Sequence, residues 1–326
     1  MTSRARTTMG SGMSLTIGVD VGGTKVAAGV VDEHGQVVEK LKRDTPAASP
    51  DSTIDVIAAV VNELQAKYDV AAVGVGAAGF VDQTRSTVLF APNLAWRDEP
   101  VKKLVEERIG RPVVVENDAN AAAWAESRLG AARDQQHVVL ITVGTGIGAG
   151  LVLDGRLYRG RFGAAGEPGH YRVVPEGRLC GCGNRGCWEQ YASGSALVAE
   201  ARDFARRTPE AATRMLQLGR GGPEGIDGPA VTRAAREGDV AAVRCFELIG
   251  EWLGAGLADL AAILDPGCFV IGGGVSEAGE LLLGPARAAY EHGLTGRAYR
   301  QLAEVRLAEL GPDAGLIGAA ELARNA

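Results

Sequence analysis

Cys180, Cys182 and Cys187 fall within eight residues in the string LCGCGNRGCWEQ, and His170 stands ten residues before the first of them in GEPGH. Three thiolates and one imidazole make a closed tetrahedral zinc set. Because protein fills all four positions, such an ion is structural rather than catalytic. Carboxylates flank the set: Glu167 lies three residues before His170, and Glu189 two after Cys187. A metal here fixes two acids and a histidine in one place. The alternative is a disulfide or redox cluster, which a cytosolic protein rarely keeps. The other two cysteines, Cys245 and Cys268, stand alone in apolar surroundings and read as small buried hydrophobes.

Three glycine turns follow apolar runs: Gly22-Gly23-Thr24-Lys25, Gly144-Thr145-Gly146 and Gly272-Gly273-Gly274. Glycine lets backbone N–H groups approach a phosphate closely, and a helix N-terminus adds the positive end of a dipole. One such turn is commonly only a turn; three in one chain point to a nucleotide. Asp20 ends the strand before the first turn, where a carboxylate suits Mg²⁺. Lys25 is placed to meet a phosphate or to face solvent. There is no G-x-x-x-x-G-K-[ST], so this is not a P-loop enzyme. Gly74, Gly76 and Gly79 spell G-x-G-x-x-G, but FVDQTRSTVLFAPN follows with strand and turn character, not the helix a dinucleotide fingerprint requires.

Asn117 and Asp118 lie where PVVVE runs into the alanine-rich NDANAAAWAE. In α/β proteins ligands bind at the carboxyl ends of strands. Pattern alone makes Asp118 the N-cap of the following helix. A wider set changes the weighting: Asn93, Asn117, Asp118, Glu167, His170 and Glu189 are hydrogen-bonding groups with no Lys or Arg among them. That set suits a neutral polyol. Phosphoryl transfer to an alcohol needs a base on the hydroxyl and cations on the phosphates, and Asp118 fits the first role.

The elements that must position these residues follow from hydrophobic period. Residues 15–20 and 26–32 read as strands, 51–67 as a helix, 70–77 as a strand. A short helix is expected over 98–109, capped by Asp98 and closed by Gly110, then a strand over 112–116. The opening pattern recurs: GVDVGGTKVAAGVVDEHGQV and VVLITVGTGIGAGLVLDGRL both read strand, Gly-Thr turn, strand, Asp and Gly. This implies a duplicated fold with one phosphate-facing turn per half. Residues 205–228 read as polar surface, 239–264 as the longest helix, and 313–325 as a helix packing back on the first domain.

At 326 residues the chain suits two domains, with a net charge of −6 that leaves no basic footprint for nucleic acid. Its 46 glycines are about twice the usual share of roughly 7%. No apolar run reaches the ~18 residues of a membrane span. The polar start, residues 1–14, reads as a disordered tail, not a secretory signal, with Met1, Met9 or Met13 as the start.

Taken together, DVGGTK, PNL, ENDAN, GTGIG, EPGH, CGCGNRGCWEQ and IGGG resemble the ROK sugar kinases over about residues 15–326. GVGAAGFVD, FAPNLAWRDEP and CWEQYASG are especially similar to the actinobacterial glucokinases of that family. The resemblance implies an α/β fold of two actin-like, ribonuclease-H-like domains around a central cleft. The smaller would comprise 15–118 plus 312–326, and the larger 119–311 with the zinc loop. It implies Asp118 as the base on the 6-hydroxyl of glucose. It implies sugar contacts from Gly79, Asn93, Asn117, Asp118, Glu167, His170 and Glu189, with His170 serving both zinc and sugar through its two ring nitrogens. ATP would lie on the glycine turns, with Mg²⁺ near Asp20. It further implies a cytoplasmic homodimer or homotetramer without nucleic-acid or membrane partners. N-acetylmannosamine, mannose or fructose are the rival acceptors, and polyphosphate the rival donor. The family also covers sugar-sensing repressors, which carry a helix-turn-helix domain ahead of the first glycine turn. Only 19 residues precede Asp20, so that reading is expected to fail.

Overall fold

The computed structural model describes residues 15–220 and 222–326. The expected N-terminal tail over 1–14, with the choice of start, lies outside the described residues. The described chain forms two compact units. One holds residues 15–136, 150–166 and 309–326; the other holds 137–149 and 167–308.

The first unit opens with a meander, β1 (Leu15–Val21), β2 (Lys25–Val31) and β3 (Val37–Asp44), then α1 (Pro50–Gln65) and β4 (Val70–Ala77). A small antiparallel sheet follows, β5 (Phe80–Val81), β6 (Val88–Phe90) and β7 (Arg97–Glu99), then α2 (Val101–Ile109), β8 (Val113–Asn117) and α3 (Asp118–Arg128). The main sheet has the order β3-β2-β1-β4-β8, with β4 parallel to both β1 and β8. Its central strands are apolar on both faces, as a sheet covered on both sides requires. On one face α1 contributes Ile54, Ile57, Val61 and Leu64 to a core with Ile17, Val19 and Val75. On the other lies the last helix, α10 (Ala314–Arg324), with Leu316, Ile317 and Ala320. That face needs bare backbone: a Cβ at Gly18 or at Gly74 would sit 1.8 Å from the carbonyl oxygen of Leu316 or Ala319.

The second sheet has the order β11-β10-β9-β12-β13, from β9 (Val138–Val143), β10 (Ile147–Leu153), β11 (Arg156–Tyr158), β12 (Cys268–Gly272) and β13 (Glu304–Leu307). Hairpin strands again come first and parallel strands last, the duplication expected from the two Gly-Thr turns. Helices α4 (Glu189–Ala192), α5 (Gly194–Arg207), α6 (Thr213–Leu218), α7 (Gly228–Arg236) and α8 (Val240–Leu264) fill the chain before β12, and α9 (Glu280–Gly293) joins β12 to β13. Asp239 caps α8, its Oδ1 accepting from the Ala242 N–H at 2.9 Å. The expected surface stretch 205–228 includes the end of α5 and all of α6. Cys245 and Cys268 are fully buried, as anticipated.

One expected element changes. The helix foreseen from residue 98 begins at Val101, and Arg97–Glu99 pairs with β6 instead. Pro100 explains it: the residue before a proline is pushed out of the helical region, so no helix runs through Glu99. Asp98 adopts φ 50° and caps nothing in that helix. Gly110 does end it, at φ 66°.

Candidate active site

In the first unit the acids gather at the carboxyl ends of the parallel strands. Asp20 lies one residue before the end of β1, and Asp118 follows directly on β8. Burial above all pushes the Asp20 carboxyl up to about 6, the charge of Asp118 adds to the rise, and Lys40 opposes it. Burial likewise raises Asp118, offset by backbone N–H groups at the start of α3. Two carboxylates held this way attract a proton or a divalent cation.

Asp118 is not the helix cap that pattern favoured. Asn117 takes that place, its Oδ1 accepting from the Asn120 N–H at 3.0 Å while its Nδ2 donates to the Gly79 carbonyl at 3.1 Å. Asn117 and Gly79 are thus brought together, and Asp118 stands as the first helical residue, one position inside the cap. Asn93 packs against Gly23, beside the first glycine turn. Lys25 is largely exposed and paired with Asp44. Gly74 and Gly76 lie inside β4, so the G-x-G-x-x-G is a strand and a turn, as expected.

In the second unit the loop donors converge. One ligand atom each from His170, Cys180, Cys182 and Cys187 lies within 4.8 Å of all the others. The Cys182 and Cys187 sulfurs are 3.6 Å apart, and Cys180 Sγ is 3.6 Å from His170 Nδ1. A tetrahedron with zinc bonds of 2.0–2.3 Å has edges of about 3.5–3.8 Å, so the donors fit zinc. A disulfide would need sulfurs about 2.05 Å apart, so no such bond joins them. Burial pushes the Cys180 thiol well above its ordinary value. A divalent cation would offset the cost of ionising it.

The loop is held from outside the metal set. A bridge pairs Arg172 with Cys187, and Cys180 N–H donates to the Asn184 carbonyl at 2.8 Å. Trp188 is fully buried and donates from Nε1 to the Trp252 carbonyl of α8 at 2.8 Å. Glu189 is thereby fixed beside the cluster: its Oε1 lies 2.9 Å from Cys180 Sγ and 3.7 Å from His170 Nδ1. His170 ends a single turn of 3-10 helix, Pro168–His170, with Glu167 immediately before it. Since Nδ1 faces the sulfurs, Nε2 is the nitrogen left for another partner.

Two of the three glycine turns share one cavity of about 900 Å³, lined by Gly144, Thr145, Gly274 and the start of α5 at Gly194 and Ser195. Ser193 caps α5, its Oγ accepting from the Ala196 N–H at 3.2 Å, and Gly194 N–H donates to the Gly144 carbonyl at 2.8 Å. Arg202, Arg233 and Arg236 also line this cavity. Sequence reasoning passed over Ser193 to Ser195. The signal was present, since Ser-Gly-Ser before an apolar run is a helix start beside a glycine turn. The first turn belongs to the other unit.

The ROK family model matches residues 16–326. A glucokinase of Streptomyces coelicolor is 53% identical over 313 residues, covering 96% of this chain and 98% of that protein. An N-acetylmannosamine kinase of Escherichia coli is 33% identical over 318 residues, covering 95% and 98%. Among solved structures, a ROK family glucokinase from Streptomyces griseus in complex with glucose and AMPPNP is 55% identical, with a TM-score of 0.88 over 96% of this chain and 100% of that one.

Proposed function

Because the chain belongs to the ROK family, we propose that it transfers the γ-phosphoryl group of ATP to the 6-hydroxyl of glucose, with Asp118 as the base. It is an ATP-dependent glucokinase, and the observation that carries this is the near full-length likeness to the Streptomyces enzymes. In the reaction the sugar oxygen attacks the γ-phosphorus, the bond to the β-phosphate oxygen breaks, and ADP leaves. Asp118 accepts the hydroxyl proton. Burial raises its affinity for a proton, which strengthens it as a base. The cavity at Gly144, Thr145 and Gly274 supports a nucleotide. Asp20 supports a magnesium site, since its burial beside Asp118 is relieved by a divalent cation. When bound, that cation neutralises charge on the transferred phosphoryl group.

Glu167, His170 and Glu189 belong to the sugar in this reading, with Asn93, Asn117 and the backbone at Gly79. Zinc on Cys180, Cys182, Cys187 and His170 Nδ1 orders the loop that carries Glu189. No described helix is long and apolar enough to cross a membrane. A cytoplasmic homo-oligomer without nucleic-acid partners completes the proposal.

A panel of glucose, mannose, fructose and N-acetylmannosamine crossed with ATP and polyphosphate tests it. A misplaced hydroxyl leaves a buried group unpaired at about 1–3 kcal/mol, so kcat/KM for mannose should fall roughly ten- to hundred-fold below glucose. Glucose failing to lead the sugars, or polyphosphate outrunning ATP, overturns the assignment.

A further inference from the structure

Two residues before the base, on β8, stands a second carboxylate, that of Glu116, only 1% exposed. Two guanidinium groups pair with it: Arg159 Nε donates to Oε1 at 3.1 Å and lies 2.8 Å from Oε2, and Arg85 Nε lies 3.1 Å from Oε2. Oε1 also accepts from the Asn117 backbone N–H at 2.9 Å and from Asn120 Nδ2 at 3.1 Å. Glu116 thus holds the backbone N–H of Asn117, the residue before Asp118, and the Asn120 side chain in the first turn of the helix that Asp118 begins. Arg159 also donates to the carbonyls of Asp82 at 2.9 Å and Gln83 at 3.1 Å, tying the β5–β6 turn to the same point. Arg85 sits in that turn at φ 56°. Such a left-handed backbone costs a side-chain-bearing residue energy, and persists where surrounding structure over-determines it.

A buried ion pair is a poor source of stability, because desolvating its members offsets most of their attraction. Here one acid is met by two cations, and Oε1 takes two further donors besides Arg159 Nε. What that arrangement supplies is direction. We infer that Glu116, Arg85 and Arg159 form a buried clamp that fixes the orientation of the Asp118 carboxyl group, and so act as positioning residues for phosphoryl transfer. The inference rests on Asp118 being the base. The clamp works through the strand-to-helix turn and touches no sugar contact except Asn117, whose side chain is already committed to Gly79 and Asn120. Its loss should therefore appear in kcat more than in sugar affinity, since small misplacement of a catalytic group costs up to about 10²-fold in rate.

The test compares Arg159→Lys, Glu116→Gln and Asp118→Asn, singly and combined. Arg159→Lys keeps a positive charge but loses the planar fork that reaches Glu116 and two carbonyls together. Its kcat should drop about 10–100-fold, with the KM for glucose within about threefold of wild type. In the Asp118→Asn background the same change should cost almost nothing further, because residues acting as one unit are non-additive. Should Glu116→Gln fail to fold, Arg159→Lys carries the comparison alone. Unchanged kcat in Arg159→Lys overturns the clamp, as does an equal further loss on top of Asp118→Asn. Asp118→Asn retaining more than about a tenth of wild-type kcat overturns the base itself, a separate failure.

Discussion

β1 and β2 meet at Gly22-Gly23-Thr24, and β9 and β10 meet at Gly144-Thr145-Gly146. The two sheets built on these hairpins share one strand order, yet their turns keep different company. Beside the first stand Asp20, held near a pKa of about 6, and Asp118. Beside the second stand the start of α5, the third glycine turn and a cavity with arginines in its wall. In the proposed reading one sheet carries the proton and cation chemistry, and the other offers backbone N–H groups and room for a nucleotide. The same local geometry at a strand end does either job, depending on whether an acid or a helix N-terminus stands next to it.

If that division is real, damage to one unit should leave the other's ligand alone. The largest effect is expected from Asp118→Asn, which keeps the shape and removes the proton acceptor. Its kcat should fall by about 10²–10⁴, with the KM for ATP little changed. Steady-state kinetics over both substrates reads this out, and a large rise in the ATP KM would break the comparison.

Next comes the metal loop. Cys182→Ala removes one of the four donors proposed for zinc and should loosen the frame holding Glu189. The KM for glucose should rise by about ten-fold or more, the size of one lost charged hydrogen bond. Elemental analysis should find about one zinc per wild-type chain, as for a closed four-ligand site. Full activity in metal-free protein defeats the structural role.

Gly273→Ala probes the nucleotide side. Gly273 has φ 84°, and a Cβ there would lie 2.5 Å from the Val143 carbonyl oxygen. The turn must shift, raising the KM for ATP several-fold while glucose binding holds, at a stability cost of about 1–3 kcal/mol. Isothermal titration with each ligand separates the two.

The smallest effect concerns stability alone. Asp20 ionises less readily in the folded chain than in the unfolded one, so its charge opposes folding above pH 6, and that penalty fades as pH falls from about 6 toward 3.8. Without divalent cation, Asp20→Asn should therefore raise Tm at pH 7 by a few degrees, for a gain on the order of 1–2 kcal/mol, and by less at pH 5. Adding Mg²⁺ should stabilise wild type and leave the variant unmoved. The opposite order of Tm values would remove Asp20 from the cation site.

Much of this was legible in the chain. The duplication showed in two Gly-Thr turns with matching apolar flanks, and the metal set in four residues close enough to share a loop. Local pattern erred where a neighbour decided: Pro100 moved a helix start, and Asn117 took the cap that Asp118 was expected to fill. The Glu116 clamp was invisible for a different reason. Arg159 lies 43 residues beyond Glu116, and Glu116 looks like the polar end of a strand until the fold buries it. Contacts across such distances leave no periodicity to read.

The position of α10 has a consequence in time. The first sheet is complete in the chain at Asn117, but the helix covering one of its faces begins only at Ala314. About 200 residues lie between them, which at about 5–20 residues per second is roughly 10–40 s of synthesis. For that interval the bare backbone at Gly18 and Gly74 has no partner, and the first sheet waits on the ribosome with an apolar face uncovered. The protein made first is thus finished last, and a nascent chain stalled before Leu316 would expose a surface fit for chaperones or for aggregation.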